Sequence, residues 1–258
     1  MSTAPQSLVA PEARLGRDVQ IGHGTRIYPN AVIGDNCTIE DFCVIGHPSR
    51  GRWAGQPLQI GPNSAIRSHA VLYEGSQFGS RLETGHHVLI REGTVAGENL
   101  RIGSFSDIEG DCQIGDFCRF HGYVHVGRGS RIGHFVWLYS LTTLTNDPLP
   151  PSDVADPVKI EDGCVVAVGA TLLPGTILKR GCFVSVGSTV EGHIPSGAVL
   201  RGNPGQIVSH VSLLRSLEHG VAHPWMGHYG HNYPDDAQAR LAALQAQIVS
   251  DREAFVLQ

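Results

Sequence analysis

Lysine is almost missing from the 258 residues: Lys159 and Lys179 are the only two among 19 basic Lys and Arg side chains. With 24 Asp and Glu the formal charge is −5, and no basic stripe runs along the chain of the kind that tracks a phosphate backbone. A nucleic acid is therefore not an expected partner. Long hydrophobic runs are missing as well. No stretch of about eighteen apolar residues occurs, and MSTAPQSLVAPEAR has no apolar core behind a basic start. These absences predict a soluble, cytoplasmic protein with no membrane partner. Aromatic residues make up only 7%, and the six cysteines include no Cys-x-x-Cys pair of the kind that nucleates a zinc knuckle.

Glycine, by contrast, is abundant at 32 residues, which suggests many short elements joined by turns. Such composition makes internal repeats the first thing to look for. From Ile60 to Leu138 every sixth residue falls on one comb, as in Ile90, Ile102, Ile108, Ile114, Phe120 and Val126, and nearly all are large and apolar. The same comb runs in another phase from Val9 to Ile45, and in a third from Ile160 to Val190. Two insertions separate the phases, residues 46–59 and 141–159, where Pro, Gly and Asp accumulate.

A period of six fits neither a helix nor a long alternating strand. It suits a short strand and a turn, repeated three times per triangular coil of a solenoid. The comb positions predict about nine coils stacked at roughly 4.8 Å, a prism about 40 Å long. All six cysteines (Cys37, Cys43, Cys112, Cys118, Cys164 and Cys182) fall four residues after a comb position, in a slot that also holds Ala31, Ser64, Ala70, Ser76, Ser106, Ser130, Ala170, Thr176 and Ser188. They are expected to be small buried thiols facing the narrow interior rather than metal ligands.

The comb, together with RSHAVLYEGSQFGSRLETGHHVLIRE, TNDPLPP, VGATLLPGTIL and VLRGNPGQIV, resembles the hexapeptide-repeat acyltransferases over roughly residues 8 to 208. The match is greatest to the branch resembling nucleotide-sugar N-acetyltransferases. The resemblance implies an all-β fold, a left-handed parallel β-helix over residues 1–208 carrying loops 46–59 and 141–159, with a C-terminal extension over 209–258. It also implies a homotrimer that binds acyl-CoA between neighbouring helices and transfers acetyl from acetyl-CoA, a cosubstrate, to the amino group of a nucleotide-linked amino sugar, with no metal required. The left hand comes from the resemblance alone, because nearly all other parallel crossovers are right-handed.

Within ETGHHVLIRE, Thr84 interrupts the comb and Gly85-His86-His87 occupies the following turn, where side chains leave the prism. A histidine titrating near neutrality suits an amine that must lose a proton while attacking a thioester, so His86 is expected to be the general base. The resemblance places Arg91 and Glu92 of Ile-Arg-Glu among the substrate-binding residues; Glu109 and His87, the latter usually a different residue in such sequences, are expected there as well. His121, two coils on by spacing, would share their face, while His125 is expected to fill a surface row. Asn146 is expected to hold the developing oxyanion and Asp147 to orient the base or bind the amine, although Asn-Asp-Pro also makes an ordinary turn. Coenzyme A is expected along Gly169, Ala170, Lys179, Arg201, Asn203 and Pro204, where the RGNPG element has Gly205-Gln206 in place of the family's Ala-Lys.

The last fifty residues leave the comb. Leu241, Leu244 and Ile248, behind Pro234 and two aspartates, predict an amphipathic helix. The preceding strap carries His219, His223, His228 and His231, expected to be surface histidines of a packed strap. Two alternatives remain: a γ-class carbonic anhydrase-like zinc enzyme using His86, His121 and His125, and a noncatalytic trimeric scaffold. The carbonic anhydrase pattern fits less well, since it spaces its last two ligands by five residues rather than four.

Overall fold

The computed structural model describes residues 2–3, 7–223 and 225–255, and the side chain of His228 lies outside what it describes. Most strands are two residues long, and most of these end on a comb position. The chain divides into two compact units, residues 1–130 and 131–258, so the division falls within the comb rather than at its end.

In the first unit the strands pair in parallel with partners one coil away. Leu89 faces Asp107 and Asp107 faces His125. Where the first insertion intervenes the chain simply takes longer to return, so Val44 faces Val71 and Thr38 faces Ala65. The comb residues fill the interior: Ile45, Leu72, Ile90 and Val126 are each 0% exposed. Burying one such side chain contributes about 1.5–3 kcal/mol, and the repeat supplies one every six residues.

The second unit repeats the arrangement, with Val165 facing Phe183 and Thr171 facing Thr189. Its parallel coils end where Ala198–Arg201 turns back antiparallel to Gln206–His210. The expected helix forms over Asp235–Ser250 and buries Leu241, Leu244 and Ile248. It packs on turn glycines: a methyl group at Gly163 would lie 3.0 Å from Leu244, and one at Gly181 2.7 Å from Ile248.

The fold is the parallel β-helix that the comb predicts. Its coils number about 11 rather than nine, because strands also form at Ser2–Thr3, His193–Ile194 and Ala198–Arg201, and at Thr143–Leu144 within the residues expected to be the second loop. At the downstream end Gly192, at φ 83°, shortens one turn, so the next interior residue after Val190 is Ile194, which breaks the count of six while keeping the coil.

The small-residue slot is also as expected. All six cysteines are free and buried, and their thiols donate to carbonyls of adjacent turns, Cys43 to Arg67 O at 3.2 Å and Cys164 to Lys179 O at 3.1 Å. Thr84 belongs to the interior as well. It is 1% exposed, and its hydroxyl accepts from the Arg67 N–H at 3.1 Å, so the polar interruption of the comb satisfies a backbone donor.

The first insertion is pinned along one corner. Trp53 lies over Gly75 and Gly93, where added methyl groups would stand 2.7 and 2.4 Å from its ring. Its indole N–H donates to Asp111 Oδ1 at 2.7 Å, and Arg52 donates to the same oxygen at 2.5 Å. Glu74, only 3% exposed, accepts from both the N–H and the hydroxyl of Ser49 at 2.7 and 3.1 Å. The loop therefore closes with its buried carboxylate hydrogen-bonded.

Candidate active site

On the outer face of the sheet that contains Leu89–Ile90, Asp107–Ile108 and His125–Val126, alternate residues point outward. Each coil offers three outward side chains: His69, Val71 and Tyr73, then His87, Leu89 and Arg91, then Phe105, Asp107 and Glu109. His125 occupies the slot of Val71, Leu89 and Asp107 one coil further on.

The middle slot holds a histidine–carboxylate pair. His125 Nδ1 lies 2.8 Å from Asp107 Oδ2. The carboxylate, through this hydrogen bond, raises the imidazole above its ordinary value against the opposing effect of burial. A carboxylate at Nδ1 fixes the proton there and leaves Nε2 as the acceptor. Neither His125 nor Asp107 is fully buried; their side chains are 35% and 40% exposed, so a ligand on this face can reach Nε2.

The turn preceding this slot holds a column of rings in the left-handed conformation. Phe42, His69, His87, Phe105 and Tyr123 have φ of 57°, 63°, 55°, 59° and 60°, a region costly for bulky side chains. The rings stack on one another, with centroids 5.2, 4.5, 5.0 and 5.1 Å apart in that order. Contact between like-placed rings offsets part of the backbone cost. His87 is thus a rung of this ladder, clamped between His69 and Phe105.

His86 stands beside the ladder and points elsewhere. Its Nδ1 is 2.9 Å from Ser68 Oγ and 4.0 Å from Glu40 Oε2. Burial pushes the Glu40 carboxyl up, but hydrogen bonds from the Arg67 guanidinium and the Ser68 N–H outweigh it and hold it low. His86 therefore has a charged carboxylate near Nδ1, at a longer distance than His125 has. His121 lies in the same corner two coils on, and its burial lowers its imidazole below the ordinary value.

Of the other expected substrate residues of this unit, Arg91 and Glu92 pair with each other, and Glu109 takes a backbone hydrogen bond. Glu92 is 5% exposed and meets Arg91 at 2.9 Å and Arg128 at 3.4 Å, so it braces the corner. Glu109 accepts from the Arg128 N–H at 3.3 Å.

In the second unit, Asp147 accepts from Leu149 N, Ser152 N and Ser152 Oγ at 2.9, 3.0 and 2.6 Å. Its carboxylate organises its own loop. The Asn146 carbonyl accepts from Asp156 N at 2.8 Å. Gly169 has φ 67° with open space around it, whereas the neighbouring Ala170 is buried with its side chain in the interior slot. Lys179 pairs with Glu161 at 2.8 Å, and Arg201, Asn203 and Pro204 are exposed.

Sequence reasoning passed over Asp107 and set His125 aside. The signal was present: both stand immediately before a comb residue, Ile108 and Val126, and are eighteen residues apart, which puts them in facing positions on adjacent coils. Among the described residues no three His, Cys, Asp or Glu side chains group as a metal site, and no helix is long and apolar enough to cross a membrane.

Residues 12–47 match the family model described as bacterial transferase hexapeptide (six repeats). The match covers 36 of the 258 residues and falls on the first phase of the comb. The chain is 26% identical over 158 residues to the bifunctional protein GlmU of a Geobacillus species, covering 56% of this chain and 32% of that protein. It is 32% identical over 89 residues to a 2,3,4,5-tetrahydropyridine-2,6-dicarboxylate N-acetyltransferase of Staphylococcus aureus, covering 34% of this chain and 31% of that enzyme. The chain thus spans about a third of the length of the curated relatives it matches. Among solved structures, the Arabidopsis UDP-N-acetylglucosamine acyltransferase superposes with a TM-score of 0.62 at 16% identity, covering 98% of this chain and 96% of that one, a likeness of fold.

Proposed function

We propose that this protein is an acyl-CoA-dependent acyltransferase that acylates the amino group of a nucleotide-linked amino sugar, with His125 as general base and Asp107 as the group that orients it. The observation that carries this reading is the 2.8 Å contact between His125 Nδ1 and Asp107. Support comes also from the N-acetyltransferase matched over 89 residues.

The chemistry asks for two things, a positioned amine and a place for its proton. The amine nitrogen attacks the thioester carbonyl, the C–N bond forms and the C–S bond breaks. His125 Nε2 takes the proton from nitrogen and returns it to the departing thiolate, so free coenzyme A leaves as the thiol. Asp107 keeps Nε2 in its accepting form and stabilises the imidazolium between the two steps.

The proposal moves the base from His86 to His125 because the direct carboxylate contact belongs to His125. His86, His87, Arg91, Glu109 and His121 become acceptor-binding residues, and Glu92 supports Arg91. Asn146 is retained as the oxyanion donor, with Asp147 shaping its loop. Coenzyme A is assigned to Gly169, the Ala170 backbone, Lys179, Arg201, Asn203 and Pro204, in a cytoplasmic homotrimer. The test is a panel of nucleotide-linked amino sugars incubated with acetyl-CoA, following thiol release. Release with at least one amino sugar and none with its hydroxyl counterpart is expected. Release with hydroxyl sugars alone would overturn the choice of acceptor atom.

A further inference from the structure

Asp111 divides its carboxylate between the first insertion and the face that carries His125. Its Oδ1 accepts from the Trp53 indole at 2.7 Å and from Arg52 at 2.5 Å, while Oδ2 accepts from the Arg128 guanidinium. Arg128 leads on toward the site. Its Nη1 donates to Glu92 Oε1 at 3.4 Å, and Glu92 holds Arg91 with both oxygens, at 2.9 and 3.2 Å. The Arg128 N–H donates to Glu109 at 3.3 Å. A second route starts at the other end of the insertion, where His47 stacks on Tyr73 at 4.5 Å and the Arg91 guanidinium stands 5.9 Å over the Tyr73 ring. Both routes reach Arg91, which follows Leu89 by two residues and so flanks the row of Leu89, Asp107 and His125.

The two carboxylates are shielded and the guanidiniums are not: Asp111 and Glu92 are 15% and 7% exposed, against 71%, 44% and 42% for Arg52, Arg91 and Arg128. Burial pushes both carboxyls up, and their neighbours hold them low through hydrogen bonds and charge, so Asp111 stays charged and needs its partners. We infer that the first insertion is a strap that controls acceptor binding: docked on Asp111 through Trp53 and Arg52, it holds Arg91 and Glu109 where the acceptor meets them, and lifted, it lets them go. The inference rests on the acyl-transfer reading above and adds the regulation of the same face. With the strap lifted, Asp111 loses the Trp53 and Arg52 donors and draws harder on Arg128, which takes that guanidinium from Glu92 and loosens Arg91. Trp53, Arg52 and Asp111 are positioning residues, acting through Arg128 and Glu92. A loop that merely packs on the corner is indifferent to what binds beside it. A coupled strap is not, because linkage is reciprocal: if docking tightens acceptor binding by some factor, the acceptor favours docking by the same factor.

The test uses the full chain and the amino sugar nucleotide that releases most thiol in the panel above. In the unaltered protein, saturating acceptor should slow proteolysis between the strands Val44–His47 and Leu58–Ile60 at least about fivefold, the low end of ordinary coupling. Trp53→Ala should weaken acceptor binding by the same factor in calorimetry and raise the acceptor KM while kcat holds. Trp53→Phe, which keeps a ring over Gly75 and Gly93 but lacks the indole N–H, should recover part of the affinity. Proteolysis that ignores the acceptor, or an unchanged affinity in Trp53→Ala, would overturn the inference while leaving acyl transfer standing. A fall in kcat with KM held in both variants would overturn it too, by giving the strap a part in the chemistry instead. No thiol release with any sugar of the panel would overturn the acyl-transfer reading itself.

Discussion

Asp107 and His125 are eighteen residues apart in the chain and face each other on adjacent coils, their side chains meeting at 2.8 Å. Replacing Asp107 with Asn removes the charge and allows the wrong imidazole tautomer. The native carboxylate raises the His125 pKa, and the base must be deprotonated to act. The acid limb of the kcat/KM profile should therefore lie above the ordinary imidazole range in the native protein, move to lower pH in Asp107→Asn, and reach a plateau at least about 10²-fold lower. An unmoved limb would show that Asp107 does not set the titration.

His125→Ala should lower kcat by roughly 10²–10⁴-fold, the usual contribution of a general base. His86→Ala should act mainly on the KM of the acceptor, because a group used for binding acts on ground and transition states alike. Steady-state kinetics of both variants distinguish the roles. The opposite pattern would return the base to His86.

Trp53 holds the first insertion through its contacts with Gly75, Gly93 and Asp111. Trp53→Ala should free the residues between the strands Val44–His47 and Leu58–Ile60 without unwinding the coils, whose pairing uses those flanking strands and not the segment between them. Limited proteolysis should cut this loop roughly tenfold faster, as a local opening does, while circular dichroism stays unchanged. Loss of the whole strand signal would instead make the loop part of the folding core.

Cys112 is 0% exposed, and burial pushes its thiol up to about 11. Only about one molecule in 10⁴ then carries the thiolate at pH 7, and the thiolate is the reactive form. Iodoacetamide should label Cys112 and Cys118 only on unfolding, as read by mass spectrometry. Native labelling at the rate of a free thiol would place the slot on the outside.

Burial, with His210 adding a smaller repulsion, lowers His223 to about 4. A depressed histidine is neutral in the folded chain and charges more readily when released, so the fold gains no protons there until pH falls well below 6.5. Stability from this site is complete above 6.5 and is lost progressively down to about 4. Protease release of the C-terminal strap should rise across that window, and His223→Gln should flatten the rise.

The interior was legible in the sequence because its rule recurs along most of the chain: a large apolar residue at nearly every sixth place, and often a small one four places later. Ile108, Val126 and the six cysteines obey it, and a comb that recurs this often can be counted. The outside follows no such rule. His86 drew attention as a polar residue beside an interrupted comb, yet Thr84 turned out to be interior and satisfied by Arg67 N–H. The pairing of Asp107 with His125 depends on comparing residues eighteen apart in the outward slot, where identity changes freely from coil to coil. Ala170 shows the same division from the other side. It lies next to open Gly169 but in the interior slot.

The register of eighteen residues also makes the chain divisible. Each ring of the ladder from His69 to Tyr123 sits at the same place in its coil. Loss or duplication of eighteen codons between two such rings would therefore remove or add one whole rung, with every remaining side chain still in its column. Inheritance could change this molecule's length in discrete steps without ever redesigning its cross-section.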